Sequence, residues 1–129
     1  MFKRVGAMNG SNILLDSNIV LYFLGGEETL MPLLEEKRLY ISFITQLETL
    51  GYKSITEKES RMIKSFLNEC IIIDINPLIK DITIKLRREY SLKLPDCIIQ
   101  ATALYLNIPL ITADTDFKKV KELDLILFE

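Results

Sequence analysis

Apolar residues along this chain recur in a fixed rhythm, a short run followed by a stripe at helical spacing. Residues 12–15 (NILL) form the first run and end at Asp16, after which Ile19, Val20, Phe23 and Leu24 mark one helix face until Gly25 and Gly26 stop it. This spacing predicts a strand and then a helix. Residues 27–37 read as a short helix broken or started near Pro32, and residues 39–42 have the brevity and alternation of a second strand. Ile44, Leu47 and Leu50 predict the apolar face of the next helix, weakened at its end by Gly51. Thr56 and Glu59 have the spacing of a capping box, which opens a helix whose stripe is Met62, Ile63, Phe66 and Leu67.

The second half repeats the order. Ile71, Ile72 and Ile73 are continuous and β-branched, so they predict a strand buried on both faces near the middle of a parallel sheet. Asn76 and Pro77 read as an N-cap and first helical residue, with Ile79, Ile82 and Leu86 inward and Lys85, Arg87 and Arg88 outward. Pro95 and Asp96 start another helix, which carries Ile98, Ile99, Thr102 and Leu106 near one face. A strand at 110–112 leads to Asp114, a short helix lies near 117–121, and 125–128 is the last strand. Alternating strands and helices predict an α/β fold with right-handed crossovers and a parallel sheet covered on both faces. Ligands of such sheets bind outside the carboxyl ends of the strands. Asp16 follows the first strand and Asp114 the fourth, so both face that edge, and they converge if those strands are neighbours.

Composition narrows this picture without changing it. At 129 residues, 49% hydrophobic and 26% charged, the chain suits one globular domain. A formal charge of −2 means that nucleic-acid binding would rest on a local cluster and not on a global basic field. Cys70 and Cys97 are far apart without metal-ligand spacing, which predicts reduced thiols, no disulfide and a cytoplasmic protein. No run approaches the roughly 20 apolar residues of a membrane span, so no membrane association is expected. Residues 1–11 lack the apolar middle of a signal peptide and read as a flexible extension, leaving 12–129 as the domain.

The acids carry the candidate chemistry. Asp16 has an ordinary reading as an N-cap, Asp96 as a dipole-stabilising residue in a first helical turn, and Glu48 as a surface glutamate beside an apolar stripe. Asp116 reads first as a turn or N-cap residue, with Asp114 the stronger site member of that pair. Taken together they say more. If Asp16, Glu48, Asp96 and Asp114 meet in one crevice, their repulsion requires raised pKa values or a neutralising cation. An all-oxygen donor set in a chain without histidine favours Mg²⁺ or Mn²⁺ over zinc, and hydrolysis would then rely on metal-activated water.

The segments LLDSNIVLYFL, ISFITQLETLGY, LKLPDCIIQATAL and LITADTDF stand in the order and spacing of PIN-domain nucleases, and the chain after its first eleven residues resembles the VapC-type toxins of prokaryotic toxin–antitoxin modules. The resemblance implies a single PIN-like domain with a central parallel five-stranded sheet flanked by helices on both faces. It further implies Mg²⁺- or Mn²⁺-dependent endoribonuclease activity, a homodimer and a small antitoxin partner. Asp16, Glu48 and Asp96 match the family's core carboxylates, and Asp114 matches the fourth, with Asp116 replacing or assisting it as a metal ligand. Asn18, Thr45 and Thr112 match polar positions that support the site.

RNA contacts are sought at Lys85, Arg87, Arg88 and Lys93, or at Lys118, Lys119 and Lys121, although such runs are more often solvated faces. The alternatives are a PIN-type DNA or structure-specific nuclease with the same metal chemistry, and a non-catalytic nucleic-acid-binding module. A phosphoacceptor receiver domain would need Asp74, after the third strand, as its acceptor.

Overall fold

Every predicted apolar run becomes a strand of one sheet. The computed structural model describes residues 11–128 and, by backbone alone, residues 2–5. The strands are β1 (Phe2–Val5), β2 (Asn12–Leu15), β3 (Arg38–Ser42), β4 (Ile71–Ile73), β5 (Leu110–Thr112) and β6 (Leu125–Phe128). The helices are α1 (Ser17–Leu24), α2 (Met31–Leu34), α3 (Phe43–Leu50), α4 (Glu57–Asn68), α5 (Pro77–Glu89) and α6 (Leu94–Leu106). The strand order is β1-β6-β5-β2-β3-β4, and all neighbours are parallel except β1 with β6.

Strands β2 and β5 pair with Leu14 opposite Leu110 and Leu15 opposite Ile111. From β2 the chain continues outward to β3 and β4, whereas β5 continues the other way to β6. The seam between them is therefore the switch point, where the connections diverge and leave a crevice at the carboxyl edge. Both Asp16 and Asp114 lie just beyond this seam.

Period-2 alternation divides the strand side chains between two layers. Leu14, Leu110 and Leu125 pack with Ile79 and Leu86 of α5 and Cys97, Ile99 and Ala103 of α6. On the opposite face Ile13, Leu15, Ile111 and Ile126 pack with Ile19 and Val20 of α1 and Ile63, Phe66 and Leu67 of α4. Local signals start these helices where they were expected: the Thr56–Glu59 capping box closes reciprocally, and Asn76 caps α5 ahead of Pro77. Cys70 and Cys97 are free thiols. Among the described residues no helix is long and apolar enough to cross a membrane.

Four expectations need correction. Strand β4 is an edge and not the centre, so Ile71 is 41% exposed despite the β-branched run. On α3 the buried positions are Thr45 and Thr49, while Leu47 is 59% exposed, because the helix turns its small polar residues toward its neighbours. Met62 likewise leaves its stripe for the surface. Finally, residues 1–11 are not wholly an extension: Phe2–Val5 pairs antiparallel with β6, since a sheet edge offers unpaired backbone groups to any strand that reaches it. Residues 6–10 of that segment lie outside the described residues.

Candidate active site at the carboxyl edge of the sheet

Asp16 is the N-cap of α1, with extended backbone at φ −72° and ψ 159°. An ordinary cap carboxylate accepts from an N–H two or three residues on. Asp16 instead accepts from the adjacent Ser17 N–H at 2.8 Å through Oδ1, and from the Thr112 hydroxyl at 2.6 Å through Oδ2. The side chain is thus turned from its own helix toward β5, across the switch point. It is only 5% exposed. Burial pushes its pKa from 3.8 up to about 6 against the opposing pull of those two hydrogen bonds, and the charges of Asp96 and Glu48 add to the rise.

Thr112 does two jobs with one hydroxyl. It donates to Asp16 and accepts the Asp114 N–H at 3.0 Å, so the strand-end loop is tied to the buried carboxylate. Asp114 caps the following 3₁₀ turn, Thr115–Lys119, by accepting the Asp116 N–H at 2.9 Å. Asn18, in the first turn of α1, accepts the Ala113 N–H at 3.3 Å and fixes the same loop from the other side.

Glu48 is exposed on α3 and comes to the pocket through Ser17. The Ser17 hydroxyl lies 2.7 Å from Glu48 Oε1 and 3.0 Å from Thr45 Oγ1. With a single proton to give, it donates to the carboxylate, the stronger acceptor, and shares the second bond with the buried Thr45 hydroxyl. Asp96 enters from the first turn of α6, partly buried. Its pKa is raised by burial first, then by the negative charges of Asp114 and Glu48, with Lys93 opposing and Asp116 adding to the rise.

The structure therefore brings Asp96 within electrostatic reach of Asp16, Glu48, Asp114 and Asp116, and Glu48 within reach of Asp16 as well; Thr112 bonds Asp16 directly, Thr45 meets Glu48 through Ser17, and Asn18 holds Ala113 ahead of Asp114. Among the described residues no three acidic or thiol side chains stand at ligating separation. What the pocket offers a cation is chemistry: carboxylate oxygens from four elements, mutual repulsion that a positive charge would relieve, and no nitrogen or sulfur donor among them.

Sequence reasoning missed Ser17. It reads as an ordinary first helical residue, and its only signal was its place directly after Asp16. Lys93, expected only as a substrate contact, also acts electrostatically on Asp96. Lys85, Arg87 and Arg88 lie exposed on α5, where Arg87 donates to the Leu92 carbonyl at 2.8 Å, and Lys118, Lys119 and Lys121 are exposed before β6. Asp74 follows the edge strand β4, away from the switch point, which leaves the receiver-domain reading without its pocket.

Residues 13–123 match the family model described as PIN domain. No curated protein matches the chain in sequence. Among solved structures, the toxin–antitoxin complex from Klebsiella pneumoniae contains a chain 33% identical to this one, with a TM-score of 0.75 over 86% of this chain and 94% of that one. VapBC-1 from nontypeable Haemophilus influenzae contains one 26% identical, with a TM-score of 0.73 over 88% of this chain and 96% of that one. VapBC2 from Rickettsia felis, bound to a DNA fragment from its promoter, shares the fold at 23% identity and a TM-score of 0.76, over 88% of this chain and 96% of that one.

Proposed function

The chain belongs to the PIN domain family, and from that premise we propose that it is a metal-dependent endoribonuclease, the toxin of a toxin–antitoxin pair, that hydrolyses RNA phosphodiester bonds. The observation that carries the reading is Asp16: a carboxylate buried at the switch point, held by Thr112 and Ser17, and crowded by Asp96 and Glu48. Perturbed acidity of this kind clusters at functional sites.

Asp16, Asp96 and Asp114 would hold the Mg²⁺ or Mn²⁺ cation, with Glu48 and Asp116 at its margin. When bound, such a cation supplies charge that activates water and neutralises the scissile phosphate. The chain's own groups prepare that chemistry. Thr112 holds the Asp16 carboxylate across the seam and ties down the Asp114 backbone, while the Asp116 N–H holds the Asp114 carboxylate, so both side chains are oriented before any ligand arrives. Ser17 holds Glu48 at the rim, where its free oxygen accepts a proton from, or orients, attacking water. Lys93, beside Asp96, offers positive charge to the incoming RNA backbone.

The K. pneumoniae relative was solved as a toxin–antitoxin complex, which supports a small antitoxin as partner of this chain. A homodimer and a cytoplasmic location complete the proposal.

The test is cleavage of total and transfer RNA by purified protein with Mg²⁺ or Mn²⁺, against a chelator control and Asp16→Asn. The expected result is discrete metal-dependent cuts with 5′-phosphate and 3′-hydroxyl ends, lost in the variant. Ends bearing 2′,3′-cyclic phosphate would contradict attack by water. Cleavage of DNA alone would transfer the assignment to a PIN-type DNA nuclease, and metal binding without cleavage to a binding module.

A further inference from the structure

Gln100 is the anomaly of the interior. It lies in the middle of α6 and is fully buried, yet neither its amide nitrogen nor its amide oxygen has a hydrogen-bond partner among the described residues. The other buried side chains of α6 are apolar or internally satisfied: Cys97, Ile99, Ala101 and Ala103 belong to the core, and Thr102 donates to the Ile98 carbonyl at 2.8 Å. A buried amide left unpartnered is unfavourable and calls for a reason in function or in a second state.

Helix geometry supplies the second state. Residues four apart share a face, and a helical side chain leans over the turn that precedes it. The position four before Gln100 is Asp96, half-buried and under the charges of Asp114 and Glu48. The remaining residues on that face within one turn are Cys97, Ala103 and Leu104, none of which has a side chain that competes strongly for an amide. Glutamine and aspartate at this spacing form a hydrogen-bonded helix pair.

Resting on the proposed metal pocket, we propose that Gln100 is a positioning residue for Asp96: when a divalent cation draws the carboxylates together, the Gln100 amide donates to the inner oxygen of Asp96 and aims the outer oxygen at the cation. Partners behind a metal ligand fix its orientation and commonly govern affinity.

Gln100→Met, of similar length and without the amide, and Gln100→Leu as a second apolar replacement are compared with wild type by titration with Mn²⁺ followed by electron paramagnetic resonance. Thermal unfolding in chelator is measured in parallel. The expected result is Mn²⁺ affinity lower by about 10- to 100-fold in both variants, with a melting temperature in chelator equal to or above wild type because an unsatisfied amide has been removed. A merely structural glutamine would leave Mn²⁺ affinity alone whichever way the melting temperature moves. Variants that fold and bind Mn²⁺ within about twofold of wild type would overturn the inference while leaving the metal pocket intact. Failure of the wild-type protein to bind Mn²⁺ would overturn the pocket itself and this inference with it.

Discussion

The acidic pocket has a floor and a rim built on different physics. On the floor, Asp16 is buried, both its oxygens are bonded to protein groups, and its pKa stands at about 6. At the rim, Asp116 lies on an exposed 3₁₀ turn, with Lys119 3.7 Å away and solvent around both side chains. A buried carboxylate stores unfavourable energy that a cation can release, whereas an exposed one is already screened by water. The floor should therefore decide whether a cation binds, and the rim should only modulate the activity of the loaded site.

Replacing a floor residue ought to produce the largest effect. Asp16→Asn keeps the shape and an acceptor for Thr112 but removes the charge. Activity should fall on the order of 10²- to 10³-fold, the scale of losing one preorganised electrostatic group. Stability in chelator should hold or rise, because a buried charge has gone. A variant that lost both activity and folding would remove the distinction between the two regions.

Titration sharpens the same contrast. With its folded pKa raised from 3.8 to about 6, Asp16 binds more protons in the folded than in the unfolded chain between those values. Its contribution to the stability of cation-free protein is thus fully favourable below the lower value, declines as pH rises through the window and levels off above the upper one, a change of about 3 kcal/mol. Cation binding needs the ionised form and should strengthen over the same range. Calorimetric unfolding across this range should show that decline in chelator and an almost flat profile with saturating Mn²⁺; an equally steep decline in both would remove Asp16 from the metal site.

Thr112→Val tests the link between floor and rim. It deletes the donor to Asp16 and the acceptor of the Asp114 N–H, and should cost about 1–3 kcal/mol. Because that hydrogen bond lowers the Asp16 pKa, its loss should push the pH dependence upward. An unchanged profile would show that the hydroxyl does not act on Asp16.

Smallest of all should be Asp116→Asn. Its exposed ion pair with Lys119 contributes at most about 1 kcal/mol, and activity should change only a few-fold. Asp114→Asn should be the more damaging of the two, since Asp114 is half-buried and its charge weighs more on Asp96 than that of Asp116 does. The reverse order would make Asp116 the fourth acid.

Much of this was legible from residue types and spacing. The alternation of runs and stripes predicted the five parallel strands, and the placement of Asp16 and Asp114 after strands predicted their common edge. Side-chain spacing could not reveal which strand lies outermost, because Ile71, Ile72 and Ile73 look alike in a central strand and at an edge whose backbone is half paired. It also placed Leu47 inward, since hydrophobicity patterns cannot weigh the closer approach that Thr45 and Thr49 permit between α3 and its neighbours. Ser17 and Gln100 escaped for a related reason: their meaning lies in contacts, or in missing ones, that no local pattern encodes.

The central claim is that divalent cation binding depends on a pocket whose buried member is Asp16. It is tested most directly by titrating Mn²⁺ into wild-type protein and Asp16→Asn at about pH 5 and about pH 7.5, on either side of the Asp16 transition. The account predicts saturable binding at the higher pH, marked weakening at the lower, and loss in the variant at both. Equal binding by wild type and variant, or no saturable binding at either pH, would contradict it.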